Sequence, residues 1–348
     1  MLRTRIGIIG AGWWATENHI PVLQSLPNVE VTSICGLGRE QLQKVRQKFG
    51  IGFATEDYEV LLSRPDVDGV VVSSPHNFHY RHAAAALERG FPVLCEKPMA
   101  LDTSEAGRLV KLVEAKSLPF LIPYGWNYTE LADLAKDAID SGEIGEVEHV
   151  LCHMGSPARD LLSGTGAWVA ERALLKPAQG TWSDPSAGGG FSHGQLSHAL
   201  GLMLWVTGLQ ASEVFAHVQR SLSGSDLSVA ISCRFSNRAT GMLGGTGGIP
   251  SRSLFQVDIR VFGSTGMLLL DIERPRLEIR GNNGKHFSAP TNHPPGMYEC
   301  IEPLKVFVGL LQGEPMENRS PAWLGKRVVD VLDASLRSAC TGKTVSIS

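Results

Sequence analysis

A lysine at the end of a strand, beside a carboxylate and followed by proline, can hold a substrate oxygen; the chain carries this arrangement at Glu96-Lys97-Pro98. The apolar run Pro92-Val93-Leu94-Cys95 before it reads as a strand, and ligands gather at the carboxyl ends of strands in open α/β sheets. A lysine there donates to the reacting oxygen, and its charge favours an alkoxide-like transition state. Far upstream, Gly10-Ala11-Gly12-Trp13-Trp14-Ala15 closes the apolar run Ile6-Gly7-Ile8-Ile9 and opens a helix-like stretch. That is the spacing of a dinucleotide turn. Gly10 permits the tight turn, Gly12 has no side chain to block a pyrophosphate, and Ala15 lets helix and strand pack closely. The N–H groups opening the helix then face the phosphates. Taken singly, one motif is a surface ion pair and the other a ligand-free turn. Together they point to a redox enzyme using NAD or NADP.

The second strand ends in Cys35-Gly36-Leu37-Gly38-Arg39, without the acidic residue that usually meets the ribose hydroxyls of NAD. Arg39 is either an exposed first-turn residue of the next helix or the partner of a 2'-phosphate, and the second reading leans to NADP. A further constellation, Gly188-Gly189-Gly190-Phe191-Ser192-His193-Gly194-Gln195-Leu196-Ser197-His198, precedes the apolar helix Ala199 to Val206. Three glycines let the backbone run close to another surface, while His193, Gln195 and His198 present polar groups. His198 is the expected proton partner of Lys97, with His193 as the second choice. The two histidines are five apart, which does not stack them on one helix face, and no metal site is expected. Trp13, Trp14, Trp126, Trp168 and Trp182 are candidates to line a sugar pocket, each weighed against plain packing. Asp184 is a candidate hydroxyl acceptor.

The elements that must position these groups fall into two patterns. Up to about residue 123, apolar runs alternate with helix-like segments, among them Val29 to Cys35, Arg39 to Phe49, Val67 to Val72 and His79 to Arg89. This alternation predicts a doubly wound parallel sheet, a dinucleotide-binding domain over 1–123. From 124 to 348 a helix, Leu131 to Ser141, leads into longer strands: Val147 to His153, Val214 to Gln219, Ser228 to Phe235, Thr240 to Gly245, Phe255 to Phe262 and Gly266 to Asp271. They predict a second, α+β domain with a large, open, mostly antiparallel sheet, for substrate binding and oligomerisation, whose C-terminal helix packs back towards the first. An open sheet face must be covered, so a homodimer or homotetramer through that face is expected.

Composition sets bounds. A chain of 348 residues suits two cores. A net charge of −3 gives no reason to expect nucleic acid or an anionic membrane as partner. Six scattered cysteines without a C-x-x-C pair predict reduced thiols in the cytoplasm, and no targeting segment precedes the first strand.

With these residues in hand, the sequence resembles the glucose–fructose oxidoreductase, inositol dehydrogenase and rhizopine-catabolism (Gfo/Idh/MocA) family over nearly its whole length. The resemblance runs through Gly10 to Ala15 with His19, Asp66 to Val70, Ser74-Pro75 with His79, Glu96-Lys97-Pro98 and Gly125-Trp126-Asn127-Tyr128. It continues through Ser141 to Gly145, Gly188 to His198 and Phe262 to Gly266. It implies a Rossmann domain, an open-sheet domain and hydride transfer between NAD(P) and a secondary hydroxyl of a sugar, glycoside or cyclitol. It also implies that Lys97 holds the reacting oxygen and His198 accepts its proton, with Ser74, His79, Glu96 and Asn127 near cofactor or substrate. Two positions depart. Gly194 stands where an aspartate is frequent, and His76 where an asparagine is. The missing aspartate keeps a rival reading open, a nicotinamide-binding regulatory or non-catalytic subunit, and a third in which a bound cofactor is recycled within one catalytic cycle.

Overall fold

The computed structural model describes residues 3–166, 172–289, 295, 296 and 298–347; Trp168 lies outside them. The chain forms two compact units. One comprises Met1–Pro123, Val169–Thr181 and Cys300–Lys326, the other Tyr124–Trp168, Trp182–Glu299 and Arg327–Ser348.

The first unit is built on six parallel strands, β1 (Thr4–Ile9), β2 (Val29–Cys35), β3 (Phe53–Thr55), β4 (Gly69–Val72), β5 (Val93–Cys95) and β6 (Phe120–Leu121), in the order β3-β2-β1-β4-β5-β6. Strands β4 and β5 are buried throughout, as expected of parallel strands covered on both faces. The strand order reverses direction between β1 and β4, which is where doubly wound sheets open a crevice for ligands. Register then decides the neighbours: Ile9 lies beside Val72, and Val72 beside Cys95. The residues that follow these three strands, Gly10, Ser73-Ser74 and Glu96-Lys97, therefore emerge at one edge.

The segment Cys300–Lys326 belongs to this unit through specific contacts. Its helix Glu302–Leu311 meets β4 at Gly69, where an added Cβ would lie 2.8 Å from Leu311 Cδ1. The Asn318 amide donates to the Phe120 carbonyl at 2.8 Å, and the Ile122 N–H to the Ser320 carbonyl at 2.9 Å. Short strand β3 joins the sheet although no apolar run announces it; Ser33, Ile34 and Cys35 supply the template.

The second unit carries a nine-stranded sheet: β7 (Val147–Gly155), β8 (Ala211–Arg220), β9 (Asp226–Phe235), β10 (Thr240–Thr246), β11 (Gln256–Gly263), β12 (Gly266–Asp271), β13 (Arg276–Gly281), β14 (His286–Ser288) and β15 (Val345–Ser346). The order is β14-β13-β12-β11-β7-β10-β9-β8-β15, and only the β7–β10 pair is parallel. Strict alternation along β9 puts Leu227, Val229, Ile231, Cys233 and Phe235 on the covered face and leaves Ala230, Ser232 and Arg234 exposed. Met242 of β10 is 64% exposed. Helices Glu130–Asp140 and Ser197–Thr207 cover the inner face, the first over β12 and β13, the second over β7 and β11. The latter is buried on every side from Ser197 to Val206, so it is a core helix. No helix among the described residues is long and apolar enough to cross a membrane.

Gly201 sets how closely that helix approaches its neighbour, since a Cβ there would lie 2.8–2.9 Å from three atoms of the buried Tyr124 ring. Gly201→Ala is expected to destabilise the protein by about 1–3 kcal/mol, the usual cost of overpacking a core. A thermal melt followed by circular dichroism checks this, and an unchanged Tm would refute it.

Candidate active site

The turn after β1 is shaped by its neighbours. Gly10 has φ +103°, and a Cβ on it would overlap the backbone at Ser73 and Ser74. The Gly10 and Ala11 N–H groups both donate to the Cys35 carbonyl, at 2.8 and 2.9 Å, tying the turn to the end of β2. At Gly12 an added Cβ would meet nothing within 4 Å, so the backbone there borders open space. Ala15 is buried and opens a π-helical turn, Ala15–His19, that runs into the α-helix Ile20–Ser25. Buried Ala15 and the open approach at Gly12 suit a pyrophosphate laid along the turn.

Across the edge, Glu96 gathers three donors. Its Oε1 accepts from Trp14 Nε1 at 2.7 Å and lies 3.0 Å from His19 Nε2, while Oε2 accepts from the Lys97 N–H at 3.2 Å. Burial by itself raises a carboxyl, but here the His19 bond and the charges of His19, Lys97 and His79 outweigh it and hold Glu96 below the ordinary carboxylate value. Lys97 is 6% exposed, and burial, opposed by the Glu96 charge, lowers its ammonium to about 8. A lysine that titrates there exchanges its proton readily near neutral pH. The Lys97–Pro98 peptide bond is cis.

His79 is a brace. Its Nδ1 lies 2.7 Å from the Pro98 carbonyl and its Nε2 2.6 Å from that of Ser74, which joins the loop after β5 to the loop after β4. Burial lowers its imidazole, against the pull of those carbonyls and of Glu96. Neutral imidazole donates from one nitrogen only. The Ser74 hydroxyl meets His82 Nδ1 at 2.9 Å, and burial carries His82 down to about 4. His76 packs edge-on against His79, with ring centroids 5.7 Å apart. Trp13 packs on Trp14 at 5.5 Å. Arg39 begins the helix Arg39–Phe49 on the surface.

The second unit organises its own cluster. Gly190 has φ +127°, and a Cβ on it would overlap Asp226 Oδ1. Asp226 Oδ2 accepts from the Ser192 N–H at 2.6 Å and from its hydroxyl at 2.7 Å. This buried carboxylate anchors the π-helical turn Ser192–Leu196, which carries His193 and Gln195 and leads into the helix of His198. The His198 ring sits edge-on to Tyr298, with centroids 4.7 Å apart, and 5.8 Å from Trp126. Trp126 in turn packs on Tyr298 at 5.2 Å and on Phe255 at 6.1 Å. The Tyr298 hydroxyl accepts from the Gly125 N–H at 2.9 Å, which locks the aromatic group to the segment Gly125–Tyr128. Asn127 is fully buried there, its amide donating to the Gly201 carbonyl at 3.5 Å. Asp184 is exposed, and its Oδ1 accepts from both the N–H and the hydroxyl of Ser186, bonds that lower its carboxyl. At Gly194 an added Cβ would lie 3.0 and 3.1 Å from two Trp182 ring carbons. An indole fills the space into which a longer side chain would project.

Residues 4–124 match the model of an oxidoreductase family with an NAD-binding Rossmann fold, GFO_IDH_MocA, and residues 133–269 match the C-terminal domain of the same family. The chain belongs to the Gfo/Idh/MocA family. It is 31% identical over 153 residues to dTDP-3,4-didehydro-2,6-dideoxy-alpha-D-glucose 3-reductase of Saccharopolyspora spinosa, covering 44% of this chain and 46% of the relative. It is 30% identical over 145 residues to D-glucoside 3-dehydrogenase of Escherichia coli (strain K12), covering 41% of each. The chain thus spans less than half the length of the curated relatives it matches. Levoglucosan dehydrogenase, solved in complex with NADH and L-sorbose, shares the fold over 100% of both chains, with a TM-score of 0.81 at 20% identity. Family membership makes the first unit an NAD(P)-binding domain.

In this Gfo/Idh/MocA protein, the first unit brings Gly10, Trp14, Ser74, His79, Glu96 and Lys97 together at one sheet edge. The second brings Trp126 to His198 and places His193 and Gln195 on the turn before it. Arg39 is exposed at the start of its helix and Asp184 is exposed at the cap of a short turn. His19, Tyr298 and Asp226 were not among the candidate site residues. His19 stood in the family resemblance with Gly10 to Ala15 but was given no role; Tyr298 and Asp226 had no signal, because only the tertiary fold brings them close.

The lowered Glu96 carboxyl makes a signed prediction. Its contribution to stability is present in full above the ordinary carboxyl value of 4.5 and is lost as pH falls through the lowered one. Glu96→Gln is expected to cost about 1–3 kcal/mol at neutral pH. Its Tm deficit should then shrink on acidification. A deficit constant with pH in paired thermal melts would refute it.

Proposed function

We propose that this protein moves a hydride between NAD(P) and a secondary hydroxyl or ketone of a sugar, glycoside or cyclitol. The observation that carries the reading is the buried Lys97, backed by Glu96 at the edge where the family's nicotinamide cofactor binds. When bound, the nicotinamide supplies the hydride acceptor or donor at the carbinol carbon. Lys97, as ammonium, donates to the substrate oxygen and stabilises negative charge on it. In oxidation His198 takes the hydroxyl proton as the C–H electron pair leaves, and in reduction it returns that proton to the new hydroxyl. The charge of Glu96 favours the cationic form of Lys97, and His79 lies between the two loops that present Ser74 and Lys97. The first unit binds cofactor, and the second binds substrate at the turn that carries His193 and Gln195, with Trp126 and Asn127 packed behind it as support.

Two relatives named for chemistry at a sugar 3-position support a carbohydrate substrate. Six cysteines outside disulfides fit a reducing, cytoplasmic setting. The exposed face of the nine-stranded sheet, with Met242 outward, suits assembly into a homodimer or homotetramer. Light scattering on the eluting protein tests that assembly, and a stable active monomer would overturn it.

Absorbance at 340 nm with both cofactors against inositols, aldoses and glycosides tests the chemistry. Lys97→Ala and His198→Ala are each expected to lower kcat by about two orders of magnitude or more, the range of a positioned acid or base. Because Lys97 carries its charge only below about 8, kcat/KM for ketone reduction should fall as pH rises through that value. In Lys97→Ala this limb should vanish. Near-normal kcat in the variant, or a limb that survives in it, would remove Lys97 from the mechanism.

A further inference from the structure

The end of β2 lacks a carboxylate of its own, yet the fold brings one there from β3. The turn after β2 lies against the dinucleotide turn: Gly10 and Ala11 donate to the Cys35 carbonyl, and a Cβ on Gly36 would lie 3.4 Å from the Ala11 nitrogen. The same turn is bonded to the end of β3. The Gly36 N–H donates to the Thr55 carbonyl at 3.2 Å, and the Gly38 N–H to Glu56 Oε1 at 2.9 Å. Between these two glycines Leu37 is 82% exposed and offers no polar group. Glu56 is itself solvent-accessible, with its second oxygen available beyond the bond to Gly38.

We propose that Glu56 meets the adenosine ribose hydroxyls of the cofactor and makes this chain prefer NAD over NADP. A ribose diol donates hydrogen bonds to a carboxylate, whereas a 2'-phosphate brings like charge against it. The local field agrees with the geometry. Burial, together with the charges of Asp57 and Glu56, pushes the Cys35 thiol at the end of β2 up to about 12. Arg39, next in the chain after Gly38, is exposed at the start of the following helix. The proposal rests on the dinucleotide site of the first unit and is independent of the sugar assignment.

Calorimetric titration of the full chain with NAD+ and with NADP+ tests it without turnover. NAD+ is expected to bind about tenfold tighter or more, the scale of one like-charge juxtaposition. Glu56→Gln keeps an acceptor for the Gly38 N–H and removes the charge. It should tighten NADP+ and cut the preference several-fold with little change in Tm, and raising salt should compress the wild-type ratio in the same direction. Equal or tighter binding of NADP+ by the wild type, or a ratio unchanged in Glu56→Gln, overturns the role of Glu56. Binding of neither nucleotide overturns the dinucleotide site and this proposal with it.

Discussion

A carboxylate taken out of water is costly unless its lone pairs are filled and a cation stands close by. Glu96 meets both conditions, and the first unit is arranged around that requirement. The indole N–H of Trp14 and the ring of His19 reach one oxygen from the turn after β1, and the backbone of Lys97 reaches the other. One side chain therefore joins the dinucleotide turn to the loop carrying the lysine. The same charge opposes the burial that would strip Lys97 of its proton, so the lysine is held near neutrality in its titration. His79 adds the third loop by setting its two ring nitrogens beside the Ser74 and Pro98 carbonyls, donating to one of them when neutral.

The second unit solves a similar problem with a different carboxylate. Asp226, at the start of β9, fills its oxygens with the backbone and hydroxyl of Ser192, and Gly190 must lack a side chain to make room. Each unit thus pairs a buried acid with a π-helical turn, Ala15–His19 in one and Ser192–Leu196 in the other. Such turns widen a helix locally and re-aim the side chains on it, and they recur at functional sites. Here they carry His19 and the His193–Gln195 stretch.

Gly194 takes a particular meaning in that setting. Where the family resemblance leads one to look for an aspartate, the Trp182 ring packs on the glycine, and Asp184 nearby in sequence spends an oxygen capping its own turn. Among the described residues, the rings of Trp126 and Tyr298 pack on His198, and Phe255 packs on Trp126. Ring packing of this kind holds an imidazole edge-on to its aromatic neighbours.

Much of this was legible in the chain by itself. The glycine spacing from Gly10 to Ala15, the buried strands and the Glu96-Lys97-Pro98 motif follow from local rules: a turn that tolerates no side chain, and apolar runs of strand length. The helix Arg39–Phe49 and strand Val29–Cys35 match their sequence bounds because glycines and turns punctuate them. Tertiary structure alone decided the rest. Strand β3 is too short to announce itself and exists because β2 templates it. Glu56, Asp226 and Tyr298 lie far in sequence from the groups they contact. Sheet register and loop closure bring them within hydrogen-bond or ring contact, and no pattern of neighbours along the chain encodes such proximity.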